Sequence, residues 1–448
     1  MISEKSDKQP SLCPIHDFLT KNAQSHRIRC YMPGHKGVEN PLDITEINGA
    51  DSLYESDFFG SAPGIIAQSE QNASRLFGTV QTLYSCSGST LAIQTMLALA
   101  KQKSGGKDHI IAGRYSHRSF INTCILLGLT PSWVYPQSYL GADISVWDIE
   151  SKINDRTMAV FINSVDYYGG MSDIKAISEL CKKCRIPLLV DNAHGAYLKF
   201  AERDRHPITL GADMCADSAH KTLPVLTGGA YLHIGNKKYC ENAKETMSLF
   251  GTSSPSYLIL DSLDRCNKEL TEHPNAIKKL CQKITVLKCE LSAMGHHIAP
   301  SDDIRLVLDC RAMNYTGFKA AEILSEFGIE CEYADEYKCV LLFGYSTSDE
   351  DIKTIREVLK ANTPPLFACY SLPPQAEHIR AACSISPSKA FFKMKQRIEL
   401  KYAVGKVCGT VVAPCPPGVP LIMPGEIISQ AAADMLARRG VKYVETVI

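Results

Sequence analysis

Three short stretches place polar, reactive side chains at the ends of apolar runs. In SCSGSTLAIQTML, residues 85–97, a Ser-Gly-Ser-Thr turn opens a helix-like segment. Free backbone N–H groups and the hydroxyls of Ser89 and Thr90 at the positive end of that segment would cradle one phosphate. An ordinary helix cap around Ser87 explains the same residues. In PLLVDNAHGAY, 187–197, Asp191 ends an apolar strand, so its carboxylate points from the sheet edge into a crevice. A carboxylate left unpaired there is costly and tends to protonate, whereas a cationic partner such as a protonated pyridine nitrogen would keep it charged. Capping of the following turn is the plainer alternative. In CADSAHKTLPVLTGGAYLHIG, 215–235, Lys221 follows Ser218 and His220. Held in an apolar crevice, a lysine has its pKa lowered and becomes a nucleophile toward a carbonyl carbon. Ser218 and His220 would then donate to the phosphate that the 87–90 turn holds. His117, in GRYSHRSF (113–120), follows a strand and could stack on a flat ring, although a lone loop histidine is more often simply satisfied by its neighbours.

Positioning these groups requires strands that end together. Between about residues 75 and 235, the runs 109–114, 158–165, 187–193, 212–217 and 228–235 read as buried strands. Helix-period segments at 89–103, 119–129 and 174–184 lie between them. That alternation predicts an α/β domain with a mostly parallel sheet and helices on both faces, and ligands at the carboxyl ends of its strands. Beyond residue 254 the pattern changes to a helix (276–294), a strand (304–310), a helix (317–328), a strand (339–345) and a helix (349–362), which predicts a smaller α+β domain. The expected organisation is an N-terminal arm (1–30), a large domain (31–272), a small α+β domain (273–364) and a C-terminal domain (365–448).

The 448 residues suffice for several domains and a sizeable core. Lys+Arg and Asp+Glu are both 48, so no nucleic-acid or anionic-membrane surface is implied. The first residues show no signal-peptide pattern and no apolar run reaches membrane-spanning length, so a cytoplasmic protein is expected. The 18 cysteines are scattered in a way that suits reduced thiols. Cys181 and Cys184 form one CxxC, but no second pair completes a four-ligand set, so no metal is expected.

A phosphate turn, a strand-end aspartate and a lysine in the next strand's loop follow the chain order of pyridoxal-phosphate enzymes of the aminotransferase fold. Further motifs sharpen this: YMPGHKG (31–37), APGIIAQSEQNASRLFG (62–78), GTSSPSYLILDSLD (251–264), SPSKAFFKMKQRIELKYAVGKV (386–407) and PCPPGVPLIMPGE (414–426). With them the chain resembles the bacterial ornithine/lysine/arginine decarboxylase family, in a short form, over nearly its whole length. The resemblance implies a fold-type I decarboxylase of a basic amino acid that uses pyridoxal 5'-phosphate and makes a diamine or polyamine. Lys221 would bond to the cofactor, Asp191 would face the pyridine nitrogen, and His117 would stack on the ring. Ser89, Thr90, Ser218 and His220 would hold the phosphate, and His194 would lie near the ring oxygen or the substrate carboxylate. The resemblance also implies a homodimer or higher homo-oligomer with shared sites, in which Thr252 and Ser253 reach the neighbouring subunit's phosphate. Lys36 would lie near the site's mouth.

Departures from the family pattern fall where substrate is expected. Val165-Asp166 replaces Pro-Thr before Tyr167, Cys415 stands for a tyrosine, and Thr410 stands for a glutamate. Asp166 and Glu426 are candidate partners for a distal amine or guanidinium, each with a turn or cap role as the alternative. Another pyridoxal-phosphate reaction, a lyase or an aminotransferase, and a catalytically silent regulatory homologue both remain open at this level.

Overall fold

A computed structural model describes residues 11–24, 64–137, 141–312, 315–362, 378–413 and 419–448. The apolar runs pair into a seven-stranded sheet made of β1 (Gln81–Ser85), β2 (His109–Gly113), β3 (Thr130–Val134), β4 (Thr157–Asn163), β5 (Leu188–Asp191), β6 (Met214–Asp217) and β7 (Ala230–Ile234). Its order is β1-β7-β6-β5-β4-β2-β3. The inner pairs β6-β5, β5-β4, β4-β2 and β2-β3 are parallel, while β7 runs antiparallel to both β6 and β1. The mostly parallel α/β sheet is thus the observed architecture.

Strand periodicity divides the core in two. Ile110, Ala112, Phe161, Leu189, Met214 and Ala216 pack on one side with the helices Gly88–Gln102 and Arg118–Leu127. Ile111, Val160, Ile162, Val190 and Cys215 pack on the other with the helix Ile174–Cys184. Burial on both faces is why these strands read as continuous apolar runs. Two strands escape the sequence pattern. β1 mixes polar and apolar residues, and β3 carries Pro131 in an edge strand that is only half-buried.

A second, three-stranded antiparallel sheet has the order β8 (Arg305–Asp309), β10 (Lys338–Leu342), β9 (Tyr333–Ala334). The helices Ala276–Ala293, Gly317–Glu326 and Asp349–Ala361 accompany it. Toward the C-terminus, β11 (Lys395–Glu399) and β12 (Tyr443–Val447) pair antiparallel, with Leu400, Ile422, Leu436 and Val444 in a core of their own.

One buried ion pair ties that last segment to the large sheet. Arg114, directly after β2, is 1% exposed and Glu426 is 2% exposed. The guanidinium forks onto both carboxylate oxygens and also donates to the Leu421 carbonyl at 2.8 Å. Oε2 of Glu426 further accepts the Met423 N–H at 2.9 Å. This corrects the expectation that Glu426 meets a distal amine of the substrate: both oxygens are engaged and it does not line the cavity described below. Removing one partner would strand the other charge in the interior. Glu426→Gln is therefore expected to lower unfolding stability by about 3–5 kcal/mol, and the double variant Arg114→Met/Glu426→Leu to recover most of that loss, both measured by denaturant titration.

Candidate active site

The parallel strands end on a common edge, and register decides which side chains meet there. Asn163 of β4 pairs with Asp191 of β5, which pairs with Ala216 of β6. Paired residues share a face, so Asp191 and Asn163 project to the side of Leu189, and Asp217, one residue on, projects to the opposite side with Cys215. The first face opens into a cavity of about 360 Å³. Its walls include Ser89 and Thr90, His117, Asp166, Asp191, His194, Ser218, His220 and Lys221, so the structure brings together nine of the expected residues.

Each is placed by a local device. Gly88 adopts φ +66° and donates its N–H to the Gly228 carbonyl at 2.8 Å, which fixes the turn that starts the helix Gly88–Gln102. Ser87, the residue before that helix, makes no side-chain cap bond, so its hydroxyl does not occupy the first-turn N–H groups that follow Gly88. Ser218 begins the short turn Ala219–Thr222, likewise without a side-chain cap bond. His220 spends Nδ1 on the Gly229 carbonyl at 2.9 Å, which leaves Nε2 for the cavity. His117 caps the helix Arg118–Leu127 by accepting the Ser119 N–H at Nδ1 (3.2 Å). Burial, with Lys221 and Arg118 nearby, pulls its pKa down to about 4, so the ring is neutral.

Asp191 is buried, and its carboxylate accepts the Ala193 N–H at 3.1 Å. Among the described residues no cation lies within ion-pair distance of it. Burial therefore raises its pKa to about 6, with Lys221 and the Ala193 N–H acting in the opposite sense. Lys221 is itself pulled below the usual lysine range, chiefly by burial, although Asp191 and Glu332 oppose that change. Its Nζ sits 2.9 Å from Nε2 of His194, whose Nδ1 is 2.9 Å from the Arg305 guanidinium.

Asp166 also lines the cavity and is buried rather than solvated. Its Oδ1 accepts the N–H groups of Tyr168 (2.8 Å) and Gly170 (2.9 Å), so it closes the turn of the VDYYGG stretch. A Cβ on Gly170 would stand 2.5 Å from its Oδ2, which explains the glycine. Val165, beside it, has φ +95°, a strained value for a β-branched residue. Thr252 and Ser253 are exposed and stay outside their own chain's cavity. Thr410 lies outside it too. Lys36 and Cys415 fall outside the described residues. Asn163, Tyr115, Tyr167 and Arg305 were not singled out in the sequence: the first three line the cavity, and Arg305 reaches it through His194. For Asn163, a polar residue closing the apolar run MAVFIN was the available signal.

On the opposite face, Asp217 joins His206 (3.0 Å) and His233 (3.4 Å), all fully buried, in a cluster whose ligand-type atoms lie within 4.8 Å of one another. The two imidazoles hold the Asp217 carboxyl far below its ordinary range despite burial. Asp217 also accepts the Asn192 side-chain N–H at 2.8 Å, bracing the residue next to Asp191. Cys181 and Cys184 are free thiols.

The donors fit pyridoxal phosphate. A buried carboxylate without a cation suits a protonated ring nitrogen, a helix start with uncapped serines suits a phosphate, and an amine held toward its neutral form suits an aldehyde carbon. Fold and site together define a fold-type I pyridoxal-phosphate enzyme. Family models point the same way: the Orn/Lys/Arg decarboxylase major domain matches residues 13–302, and the C-terminal domain of the same family matches 376–440. The chain belongs to the Orn/Lys/Arg decarboxylase family and is an amino-acid decarboxylase that depends on pyridoxal phosphate. An arginine decarboxylase of Bacillus subtilis is 28% identical over 456 residues, covering 93% of this chain and 91% of the relative. One from Bacillus anthracis is 27% identical with the same coverage. The crystal structure of a Francisella novicida lysine decarboxylase shares the fold at a TM-score of 0.76 and 15% identity, over 97% of this chain and 81% of that one.

The raised carboxyl of Asp191 has a stability consequence. A group whose folded pKa lies above its unfolded value supports the fold fully at low pH, and that support is lost as pH rises from about 4 through about 6. Each pH unit between those two values is worth about 1.36 kcal/mol. Asp191→Asn should therefore stabilise the cofactor-free protein above pH 6 by up to about 3 kcal/mol. The gain should vanish near pH 4, and thermal melts of both proteins across pH check it.

Proposed function

We propose that the chain is an arginine decarboxylase and that the cavity residues carry the reaction. The observation that carries this reading is the convergence of Lys221, Asp191, His194 and His117 on one cavity whose other wall holds an uncapped helix start. Relatives named arginine decarboxylase that align along 93% of the chain favour arginine over lysine or ornithine.

Bound here, the cofactor supplies an electron sink for the pair of electrons left when the Cα–carboxylate bond breaks and carbon dioxide departs. Asp191, as a buried anion, would hold a proton on the facing ring nitrogen. His117, neutral and anchored by its cap bond, would pack on the ring face. Ser89, Thr90, Ser218 and Nε2 of His220 would bind the phosphate, whose charge would lift the His220 pKa that burial now depresses. Lys221, paired with His194, would return a proton to Cα. Asp166, closed within its own turn, would shape the substrate end more than bind it.

Further readings complete the proposal. A homodimer with shared sites is supported by the exposure of Thr252 and Ser253 and by the exposed apolar side chains Leu226 and Leu249. A cytoplasmic location is supported by the free state of the cysteines among the described residues, and a place in polyamine synthesis would follow from the amine that the reaction releases. No helix among the described residues is long and apolar enough to cross a membrane.

The cofactor-loaded protein, offered arginine, lysine and ornithine in turn, is expected to release carbon dioxide and the matching amine fastest from arginine. Asp191→Asn should slow release by about a hundredfold or more, because the charge facing the ring is lost. Preference for lysine or ornithine would overturn the substrate assignment. No release from any of the three would overturn the reaction.

A further inference from the structure

Arg305 opens β8 of the small sheet and is 1% exposed, so nothing about its surroundings suits a surface cation. Its NH1 meets the buried carboxylate of Asp302, and its NH2 stands 2.9 Å from Nδ1 of His194. A guanidinium carries donors only. Nδ1 of His194 must therefore offer a lone pair. Burial, Lys221 and Arg305 keep the imidazole neutral by pushing its pKa well below the ordinary value. A neutral imidazole with a bare Nδ1 carries its single proton on Nε2. That proton faces Nζ of Lys221 at 2.9 Å, and it can be accepted only by an amine with a free lone pair.

We propose that Arg305 is a positioning residue: by donating to Nδ1 of His194 it fixes that histidine with its proton on Nε2 and thereby holds Lys221 as the uncharged amine. The chain of contacts runs from the small sheet to the reactive nitrogen in two hydrogen bonds. It is held rigidly at its far end. Lys288 donates to Ser301 Oγ at 3.0 Å and to the Asp302 carbonyl at 2.5 Å. Gly169, at φ +88°, lets the YYGG turn approach so closely that a Cβ there would lie 2.6 Å from the Asp302 backbone nitrogen. The two glycines of that turn thus serve different ends, Gly170 the Asp166 carboxylate and Gly169 the support of Arg305.

Several charged or titratable groups face the pair. Asp191 and Glu332 favour the charged lysine, while burial and Arg305 oppose it. His117 and His220 face His194, and the Tyr167 ring lies 5.2 Å from it. Asp302 neutralises Arg305 without touching His194. What distinguishes Arg305 is that it acts through the tautomer as well as through its charge.

The inference rests on Lys221 being the lysine that bonds the cofactor, and the experiment separates the two claims. Cofactor-free protein labelled with ¹⁵N-histidine is examined by long-range ¹H–¹⁵N correlation, with His194 assigned by its loss in His194→Gln. The expected result is a pyridine-like Nδ1 and a protonated Nε2 across the neutral range. In parallel, covalent capture of pyridoxal phosphate by cofactor-free protein is followed by absorbance against pH. Arg305→Met should move the midpoint of capture upward by about one pH unit, making capture at neutral pH about tenfold slower. Arg305→Lys, still a donor, should restore most of that change. Asp302→Asn should weaken the fold without raising the midpoint, because Arg305 keeps its donors and loses its neutralising partner, whereas a merely structural role for Arg305 predicts the same upward move as in Arg305→Met. A proton on Nδ1 of His194 in the unaltered protein, or an unmoved midpoint in Arg305→Met, would sink the inference alone. Covalent capture that survives Lys221→Ala would sink the underlying reading and this inference with it. The histidine measurement needs no Arg305 variant, so poor folding of Arg305→Met does not shield the idea.

Discussion

A carboxylate buried at a strand end, with no cation in ion-pair reach among the described residues, is unfavourable, and the site is organised around that one placement. Asp191 is kept in the interior by its strand register, and among the described residues a single backbone N–H, that of Ala193, answers it. A lysine close enough to respond to its charge would be the obvious counterion. Instead Lys221 is turned toward His194, and its own charge is disfavoured by burial. The described residues thus hold both an anion without a counterion in reach and an amine with a lowered proton affinity, a combination that a cofactor carrying a cationic nitrogen and an aldehyde would relieve at once. In the cofactor-free state that arrangement costs stability, the pattern expected where binding energy is stored in a site.

The opposite face of the same strands shows the compensated version of the problem. Asp217, one pleat position away, is as deeply buried as Asp191 but meets two histidines and the Asn192 amide. Its carboxyl is held ionised, and the bond to Asn192 fastens the loop that follows Asp191. Two aspartates on adjacent parallel strands differ because strand alternation sends them to different faces: one becomes support, the other is left open to a ligand.

Much of this was legible in the sequence because strand ends punctuate apolar runs. Asp191, Lys221, Ser218 and His220 follow such runs directly, and the rule that ligands gather at the carboxyl ends of parallel strands puts them in one place. His117 was readable for the same reason, and the 87–90 turn because its Ser-Gly-Ser-Thr residues open a helix-period segment. Residues whose roles depend on distant partners were not. Glu426 looks like a turn carboxylate until Arg114, more than three hundred positions earlier, proves to fork onto it. Arg305 sits in IRLVLD, where a charge at the start of a strand ordinarily means solvent. Only the packing of β8 behind His194 gives it a different meaning. β1 and β3 were missed because an antiparallel strand with mixed residues and an edge strand with a proline lack the continuous apolar run.

The proposed chemistry turns on Lys221 being the amine that bonds the cofactor. Borohydride reduction of the pyridoxal-phosphate-loaded protein, followed by proteolysis and mass spectrometry, reads this directly. The expected result is one phosphopyridoxyl group per chain, on the peptide that contains Lys221. A label on a different lysine, or a loaded protein that takes up no label, would contradict it.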